Sequence, residues 1–213
     1  MTAGTSRALL TRQSLLAAAR EVFCSAGFND AAIADVVARA GASVGSLYHH
    51  FGGKADLYLA LYEEYANRQE QRAAHAVAAA RDAGEQDPIR LFVAGGRAFL
   101  DGCWIERDLA RLFLAGGGPP GFDLLMRRRN REWVRRNALL LRAEPDPRGE
   151  ALVLVLTTAM GEAGHEVALC ETEEAAAEIA DEVLTLVARL GDGGSAPADP
   201  APGGAIPRPT QAP

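Results

Sequence analysis

The spacing of the apolar residues is the feature that most constrains the fold of this chain. They recur at steps of three and four residues along most of its length, and no segment alternates β-branched and polar residues as a strand does. Residues that favour helices, mainly Ala, Leu, Arg and Glu, fill the same segments. Hydrophobic residues make up 48% of the 213, which is enough to bury one or two small cores. The sequence therefore predicts an all-α protein.

Glycine, proline and capping residues divide the chain into about nine helices. Thr11 is suited to cap the first helix, Asn29 or Asp30 the second, and Ser43 the third. The last stretch, residues 191–213, is mainly Gly, Pro, Ala and Ser and is predicted to be a disordered tail, because it cannot bury enough apolar surface. The predicted helices cover residues 11–26, 32–39, 43–50, 54–81, 87–103, 106–115, 122–142, 148–170 and 172–190.

Residues 32–50 have the layout of a helix-turn-helix. Two short amphipathic helices flank Gly41, whose freedom to adopt a positive φ suits a tight turn. The second short helix must present small or polar side chains at its N-terminal end if it is to enter a major groove. Hydroxyl and imidazole groups there can donate to phosphates or base edges, and a valine can contact a thymine methyl. The side chains predicted to face outward are Ser43, Val44, Ser46, Tyr48 and His49.

The distribution of charge supports this location for a nucleic-acid surface. The net charge of the whole chain is -6, which is unusual for a protein that binds DNA. Residues 1–54, however, hold five basic and three acidic residues, whereas residues 150–190 hold one basic and nine acidic residues. Any contact with nucleic acid is therefore expected at the N-terminal end.

Residues 28–57 resemble the DNA-binding segment of the TetR (tetracycline-repressor-like) family. The most specific part reads Gly45-Ser46-Leu47-Tyr48-His49-His50-Phe51, followed by Lys54 and Leu57. The resemblance covers residues 11–60 well, and beyond them only the length and the helical pattern match. It implies a sequence-specific transcriptional regulator rather than an enzyme, and no cofactor.

The resemblance also implies a domain organisation and partners. Residues 1–53 would form a three-helix DNA-binding domain, and residues 54–190 a helical ligand-binding and dimerisation domain. The last two helices would pack against a second copy to give an Ω-shaped homodimer. This dimer would bind a near-palindromic operator in double-stranded DNA, most often as a repressor that a small apolar or amphipathic ligand releases.

Carried over position by position, the resemblance assigns DNA contacts to the third helix and to the start of the fourth. The family positions that contact DNA correspond to Val44, Ser46, Tyr48, His49 and, for a phosphate contact, Lys54. Two departures reduce the expected number of phosphate contacts. Ala31 and Ala32 stand where the family usually has Thr or Ser, and Ala34 and Val44 stand where it often has Arg or Lys. We therefore expect a shallow dependence of DNA affinity on salt.

Lys54 is the only lysine of the chain. A cation in the first turn of a helix opposes the helix dipole, and a bound phosphate would turn that cost into a gain. The alternative is an incidental surface lysine. Tyr48 has the alternative of being a core residue, and one of His49 and His50 is expected to have no role.

Large apolar side chains of the second domain are the candidates for a ligand pocket, although a helical body needs such residues in its core in any case. His165 is added as a pocket or interface residue. The candidates are Phe92, Phe99, Trp104, Phe113, Phe122, Met126, Trp133, Met160 and His165.

Three further patterns receive simpler interpretations. The arginines of residues 127–136 are expected to form a solvated face or to pair with carboxylates of the last two helices. One predicted helix face carries Glu162, His165, Glu166 and Cys170. The chain lacks the second Glu-x-x-His that a di-iron bundle needs, so no metal is predicted. Cys103 and Cys170 lack the basic neighbours of a redox sensor.

The competing function classes are a DNA-binding dimer without a small-molecule ligand and, with no positive support, a helical-bundle enzyme or metal-binding protein. Neither a phosphate loop nor a nucleophile–base set is present. The polar N-terminus and the apparent lack of an apolar run of about 18 residues lead us to expect a cytoplasmic protein with no membrane partner.

Overall fold

The computed structural model describes residues 3–114 and 117–193, and within these residues it contains nine helices and no strand. The predicted all-α class is confirmed. The helices are α1 (Ala3–Asp30), α2 (Ile33–Ala40), α3 (Val44–Phe51), α4 (Lys54–Asp82), α5 (Pro88–Ile105), α6 (Arg107–Leu114), α7 (Phe122–Leu140), α8 (Pro147–Leu169) and α9 (Glu173–Gly193).

Four of the nine described helices start where a side chain accepts a hydrogen bond from the first turn. The Ser43 hydroxyl accepts from the Ser46 amide at 3.1 Å, as the sequence predicts for the start of α3. Asp87, Asp146 and Thr172 cap α5, α8 and α9 in the same way. Short polar residues therefore set these boundaries locally.

Two predicted caps at the N-terminal end are wrong. The first helix begins at Ala3 rather than Thr11, and the Thr11 hydroxyl donates to the Arg7 carbonyl inside the helix. The N-cap position of α2 is Ala32, which has no capping side chain, so neither Asn29 nor Asp30 fills this role. Packing of the apolar face of α2 compensates for the missing cap.

The end of the described chain also differs from the prediction. The last helix continues to Gly193, so the first three residues of the predicted tail are helical. The rest of that tail, residues 194–213, lies outside the described residues.

The buried residues form two apolar cores. The first joins α1, α2 and α3 to the beginning of α4, to α6 and to the start of α7, and the second joins α5, α8 and α9 to the end of α7. Tyr58 of α4 lies at the centre of the first core, with the rings of Phe23, Phe28, Phe113 and Phe122 packed edge-on at 5.2–5.4 Å. We call α1–α3 the head and α4–α9 the body. The first core spans their junction, so packing is continuous across the domain boundary predicted at residue 54.

A cluster of charged side chains lies beside this core and is called the Glu106 cluster. It consists of Arg20 of α1, Arg68 and Arg72 of α4, and Glu106 and Asp108 at the α5–α6 junction. Arg68 donates twice to one oxygen of Glu106, at 2.7 and 2.9 Å, and Arg72 donates to the other at 2.5 Å. Arg20 donates two hydrogen bonds to Asp108, at 2.7 and 2.6 Å. The cluster therefore ties α1 of the head to the α5–α6 junction, and this junction to α4.

Glu106 is only 5% exposed. Burial by itself raises the pKa of its carboxyl, but the hydrogen bonds from Arg68 and Arg72 outweigh that effect, so the pKa lies below the ordinary value of 4.5. The pKa of Asp108 is also lowered, because the two hydrogen bonds from Arg20 outweigh burial. Both carboxyl groups are thus held in their charged forms.

The composition of α8 corrects one expectation. Among the described residues, α8 is the one helix long and apolar enough to cross a membrane by length and composition, although the sequence suggested no such run. In the structure its side chains Val153, Leu156 and Met160 lie in the second core, and 44% of its most apolar window is buried. Its apolar character is that of a core helix.

Substitution of Glu106 by Gln should lower the free energy of unfolding by about 2 kcal/mol, because Arg72 loses its carboxylate partner and Arg68 keeps only Glu64, at 3.9 Å. The effect stays below that of a fully buried pair because both arginines are about one-third exposed and partly hydrated. The measurement is urea unfolding at one fixed protein concentration. Glu178→Gln, an exposed change on α9, is the control.

This loss should depend on pH. A lowered folded-state pKa contributes stability that is complete above the ordinary value of 4.5 and is lost as the pH falls through the folded value. The gap between wild type and Glu106→Gln should therefore be constant near pH 7 and should narrow below pH 4.5. A gap that widens on acidification would contradict this assignment.

Candidate nucleic-acid interface and body cavity

The turn between α2 and α3 fixes the angle of the two helices. Gly41 adopts φ 60° and ψ 32°, a left-handed conformation that glycine reaches without strain. Its amide bonds to the Ala38 carbonyl, and the next amide bonds to the Val37 carbonyl, so the turn closes the end of α2. Leu47, which is fully buried, anchors α3 in the first core. A compact helix-turn-helix follows from these local contacts.

The face of α3 opposite Leu47 is open. Val44 is 48% exposed and Tyr48 is 52% exposed, while Ser43 and His49 are also exposed and Ser46 is half-buried. The alternative of a core role for Tyr48 is therefore not supported. Four of the side chains proposed for DNA contact, Ser43, Val44, Tyr48 and His49, are thus accessible at the start of α3 and along it.

Lys54 has a fixed position next to this surface. Its Nζ donates to the Asn29 carbonyl at 2.9 Å and lies 4.8 Å from the centre of the Phe28 ring. An ammonium group has three donors, so two remain for another acceptor. These contacts explain why the cation is tolerated in the first turn of α4 and hold it beside the end of α1.

The arginines of the head are mostly engaged within the protein. Arg12 pairs with Glu64 at 2.7 Å, Arg39 pairs with Glu21 at 3.1 Å, and Arg20 belongs to the Glu106 cluster. Few cations are left over for phosphates, which agrees with the shallow salt dependence expected from the sequence.

The body contains a cavity of about 460 Å³ between α4, α5, α7 and α8. This volume is in the range of small-molecule sites. Apolar side chains form most of its wall, and a few polar groups lie at its sides. The wall includes Ala73, Ala74, Val77, Phe92, Gly95, Gly96, Phe99, Trp133, Leu139, Leu140, Thr157 and Met160, together with Glu70, Arg81, Asn130, Arg136 and Asn137.

Four of the nine residues proposed for a pocket from sequence line this cavity, namely Phe92, Phe99, Trp133 and Met160. The other five do not, because other packing takes their side chains. Phe113 and Phe122 pack against Tyr58 and Tyr62, and Met126 packs on the first core. Trp104 lies under the Arg107 guanidinium at 4.3 Å, and His165 is half-buried on α8 away from the cavity.

Small and polar cavity residues were missed by sequence reasoning, which ranked candidates by aromatic size. Gly96 is an example, since a Cβ at this position would come within 3.0 Å of the Met160 methyl and 3.1 Å of Leu184. Gly95 and Gly96 are adjacent glycines inside α5, and glycine lowers the stability of a helix. This pair was the one signal in the sequence that α5 borders open space or a closely packed neighbour.

The basic segment of α7 pairs with α4, which corrects the expectation of partners on the last two helices. Arg129 donates to the Asn67 side chain at 2.6 Å, contacts Glu63 and lies 3.5 Å from Glu70. Arg136 also pairs with Glu70. These side chains bridge α4 and α7 along one side of the cavity.

Cysteine and metal chemistry gain no support in the described part of the chain. No group of three metal-ligating side chains occurs there. Burial raises the pKa of Cys103 to about 12, which keeps this thiol protonated and unreactive. The Cys170 thiol donates to the Glu166 carbonyl at 3.3 Å, so it too is held by its own helix.

The described residues form a three-helix head with an exposed face on α3, carried by a helical body with an apolar cavity. This arrangement defines a helix-turn-helix protein. A model of the family "Bacterial regulatory proteins, tetR family" matches residues 15–61, which lie in the head and the beginning of α4. The match covers 47 of the 213 residues, so it characterises the head.

Two curated relatives match the head. The HTH-type transcriptional repressor AcnR of Corynebacterium glutamicum is 40% identical over 58 residues, which cover 27% of this chain and 31% of the relative. The HTH-type transcriptional activator FasR of Mycolicibacterium smegmatis is 43% identical over 54 residues, which cover 25% of each chain. The chain thus matches only about a quarter to a third of the length of these relatives.

The whole fold is shared with solved structures at low sequence identity. A TetR-family regulator from Syntrophomonas wolfei superposes with a TM-score of 0.69 at 16% identity, over 89% of this chain and 98% of that structure. This likeness concerns the arrangement of the helices alone, in the head and in the body.

The N-cap of α3 gives a prediction for the head. Ser43→Ala should lower the free energy of unfolding by about 1 kcal/mol, because the Ser46 amide loses its acceptor. Ser43→Asp should retain this stability, since Asp is an equally good cap. Thermal unfolding of the three proteins at equal concentration measures the effect. Equal losses in both variants would show that the hydroxyl acts in some other way.

Proposed function

We propose that this protein is a dimeric, sequence-specific DNA-binding repressor whose affinity for its operator is lowered by a small apolar or amphipathic ligand. The observation that carries the DNA-binding part is the open face of α3, with Val44 and Tyr48 half-exposed beside the capped N-terminus of the helix. A helix N-terminus with small and polar side chains is suited to the major groove.

The proposed contacts divide by type. Ser46, Tyr48 and His49 donate to phosphates or base edges, and Val44 contacts a thymine methyl. Ser43 presents its backbone at the helix N-terminus, where a phosphate is favoured. Lys54 uses its two remaining donors on a phosphate, which adds affinity without sequence preference.

Dimerisation through α8 and α9 supplies a second head, so that the dimer carries two copies of α3. Each of these helices buries one face in the second core and leaves large apolar residues about half-exposed on the other, which is the pattern of an interface between copies. These residues are Leu154 and Val155 of α8 and Leu186 and Leu190 of α9. Two heads related by a two-fold axis match a near-palindromic operator with half-sites about 34 Å apart.

The cavity supports the ligand-responsive function over a DNA-binding dimer without a ligand. It lies against α4, which also carries Tyr58, Arg68 and Arg72 of the junction with the head. A ligand that binds better when α4 has shifted lowers the population of dimers whose heads fit the operator, by no more than its difference in affinity for the two states. Repression follows if the bound dimer covers a promoter.

Loss of the phosphate contact should be separable from loss of base contact. Lys54→Ala should weaken binding to all duplexes about equally and reduce the slope of log affinity against log salt by about one. Tyr48→Ala should weaken binding about tenfold and more strongly at the operator than at random sequence. Fluorescence anisotropy with labelled duplexes measures both. Arg135→Ala on the exposed side of α7 is the control, and operator affinity unchanged in both head variants would refute the interface.

The dimer interface has a matched test. Leu186→Glu should weaken dimerisation by at least about tenfold, because a charge would have to be desolvated at the interface. Leu124→Glu replaces an apolar residue on α7 that is 71% exposed, against 54% for Leu186, and should leave the dimer intact. Sedimentation equilibrium distinguishes the two. A dimer that tolerates the first change but not the second would place the interface on α7 instead.

A further inference from the structure

The polar side of the cavity carries more positive than negative charge. Its wall contains the arginines Arg81 and Arg136 but a single carboxylate, Glu70. Glu70 and Arg81 lie eleven residues apart on α4, roughly 16 Å along the helix. The cavity wall therefore extends along about three turns of α4.

The two arginines differ in their partners. Arg136 pairs with Glu70, whereas Arg81 has no acidic partner among the residues that the structure describes. Glu70 in turn is contacted by a second guanidinium, that of Arg129, at 3.5 Å. A cationic ligand would have to compete with two arginines for this one carboxylate. An anionic ligand would instead meet the Arg136 guanidinium, which has more N–H donors than the one carboxylate of Glu70 uses.

Further donors lie next to Arg136. Asn130 and Asn137 of α7 also line the cavity, and the Asn137 amide donates to the Thr157 hydroxyl at 3.0 Å, which fixes its orientation. The Arg136 side chain is 53% exposed, so its guanidinium is within reach of an incoming group. Charge-assisted hydrogen bonds from a guanidinium to a carboxylate are about twice as strong as neutral ones.

We infer that the cavity binds an amphipathic anion, with its apolar chain between Phe92, Phe99 and Met160 and its carboxylate on Arg136 in place of Glu70. This inference rests on the proposed function, because it names the class of ligand for the same cavity. Glu70 keeps a charged partner after the exchange, since Arg129 stays beside it, and its side chain is partly exposed to solvent.

The exchange has a consequence for α4. In the ligand-free protein, Glu70 joins α4 to Arg136 of α7 along the edge of the cavity. When the ligand carboxylate takes over Arg136, that bridge is lost, and Arg129 alone holds this side of α4 to α7 through Glu63, Asn67 and Glu70. The same helix holds Arg68 and Arg72 of the Glu106 cluster two residues to either side of Glu70. The anionic head group therefore acts directly on the helix that supports the head.

The test uses three probes that share a twelve-carbon chain and differ in head group, namely dodecanoate, dodecanol and dodecyltrimethylammonium. Isothermal titration calorimetry of the full-length dimer, below the concentrations at which the probes form micelles, measures their affinities. Dodecanoate should bind at least about tenfold more tightly than the other two, as a charge-assisted pair would give.

Variants locate the head group. Arg136→Gln should remove the preference for dodecanoate, Arg136→Lys should keep most of it, and Arg135→Gln on the same helix should change nothing. Glu70→Gln should bind dodecanoate more tightly, because the competing carboxylate is gone. Equal affinities for the three probes, tighter binding of the cation, no binding of any probe, or loss of preference only in Arg81→Gln would each overturn the assignment.

DNA binding by the same proteins separates this inference from the proposed function. If the wild type binds duplex DNA but shows no preference for the anion, only the inference fails. If the anion preference is present and no duplex is bound at low salt, the proposed function fails while the cavity assignment stands.

Discussion

The buried carboxylate of Glu106 is the interaction on which the relation between head and body depends. It lies where α5 ends and α6 begins, and it holds two arginines of α4 on its oxygens. Two residues further on, Asp108 holds Arg20 of α1. A short segment of the body thus contacts α1 of the head and α4, the first helix of the body. The charge attraction is strong here because Glu106 is removed from water.

Neighbouring contacts extend this arrangement towards α8. Arg111 of α6 donates to the carbonyls of Ala168 and Cys170 at the end of α8, where free carbonyls attract a cation. The helix α6 therefore connects α1 to the end of a helix proposed to form the dimer interface. A displacement of α4 by a ligand would be opposed by the Glu106 cluster and would reach the head through the same ion pairs.

The sequence predicts the part of this structure that is determined locally. Gly41 and Ser43 specify the turn and the start of α3 through their own backbone and hydroxyl, and Leu47 shows its inward direction through the helical period. The start of α1 could not be predicted in this way, because Thr11 has the chemistry of a cap and yet lies inside the helix. The uncapped start of α2 depends on tertiary packing rather than on Ala32 itself.

The sequence also does not determine which residues far apart in the chain contact each other. Nothing in the run of arginines on α7 indicates that Arg129 and Arg136 reach across to α4 rather than to the acidic last helices. Likewise, Phe113 and Met160 are equally plausible pocket residues in sequence, and only the fold separates a core ring from a cavity wall.

The central claim is that α3 of a two-fold dimer reads duplex DNA, and selection of bound duplexes from a randomised pool at low ionic strength tests it most directly. A near-palindrome with half-sites about 10 base pairs apart from centre to centre should be enriched. The dimer with Tyr48→Ala should lose this enrichment while keeping its fold. A pool that stays random after repeated selection with well-folded wild-type dimer would contradict it.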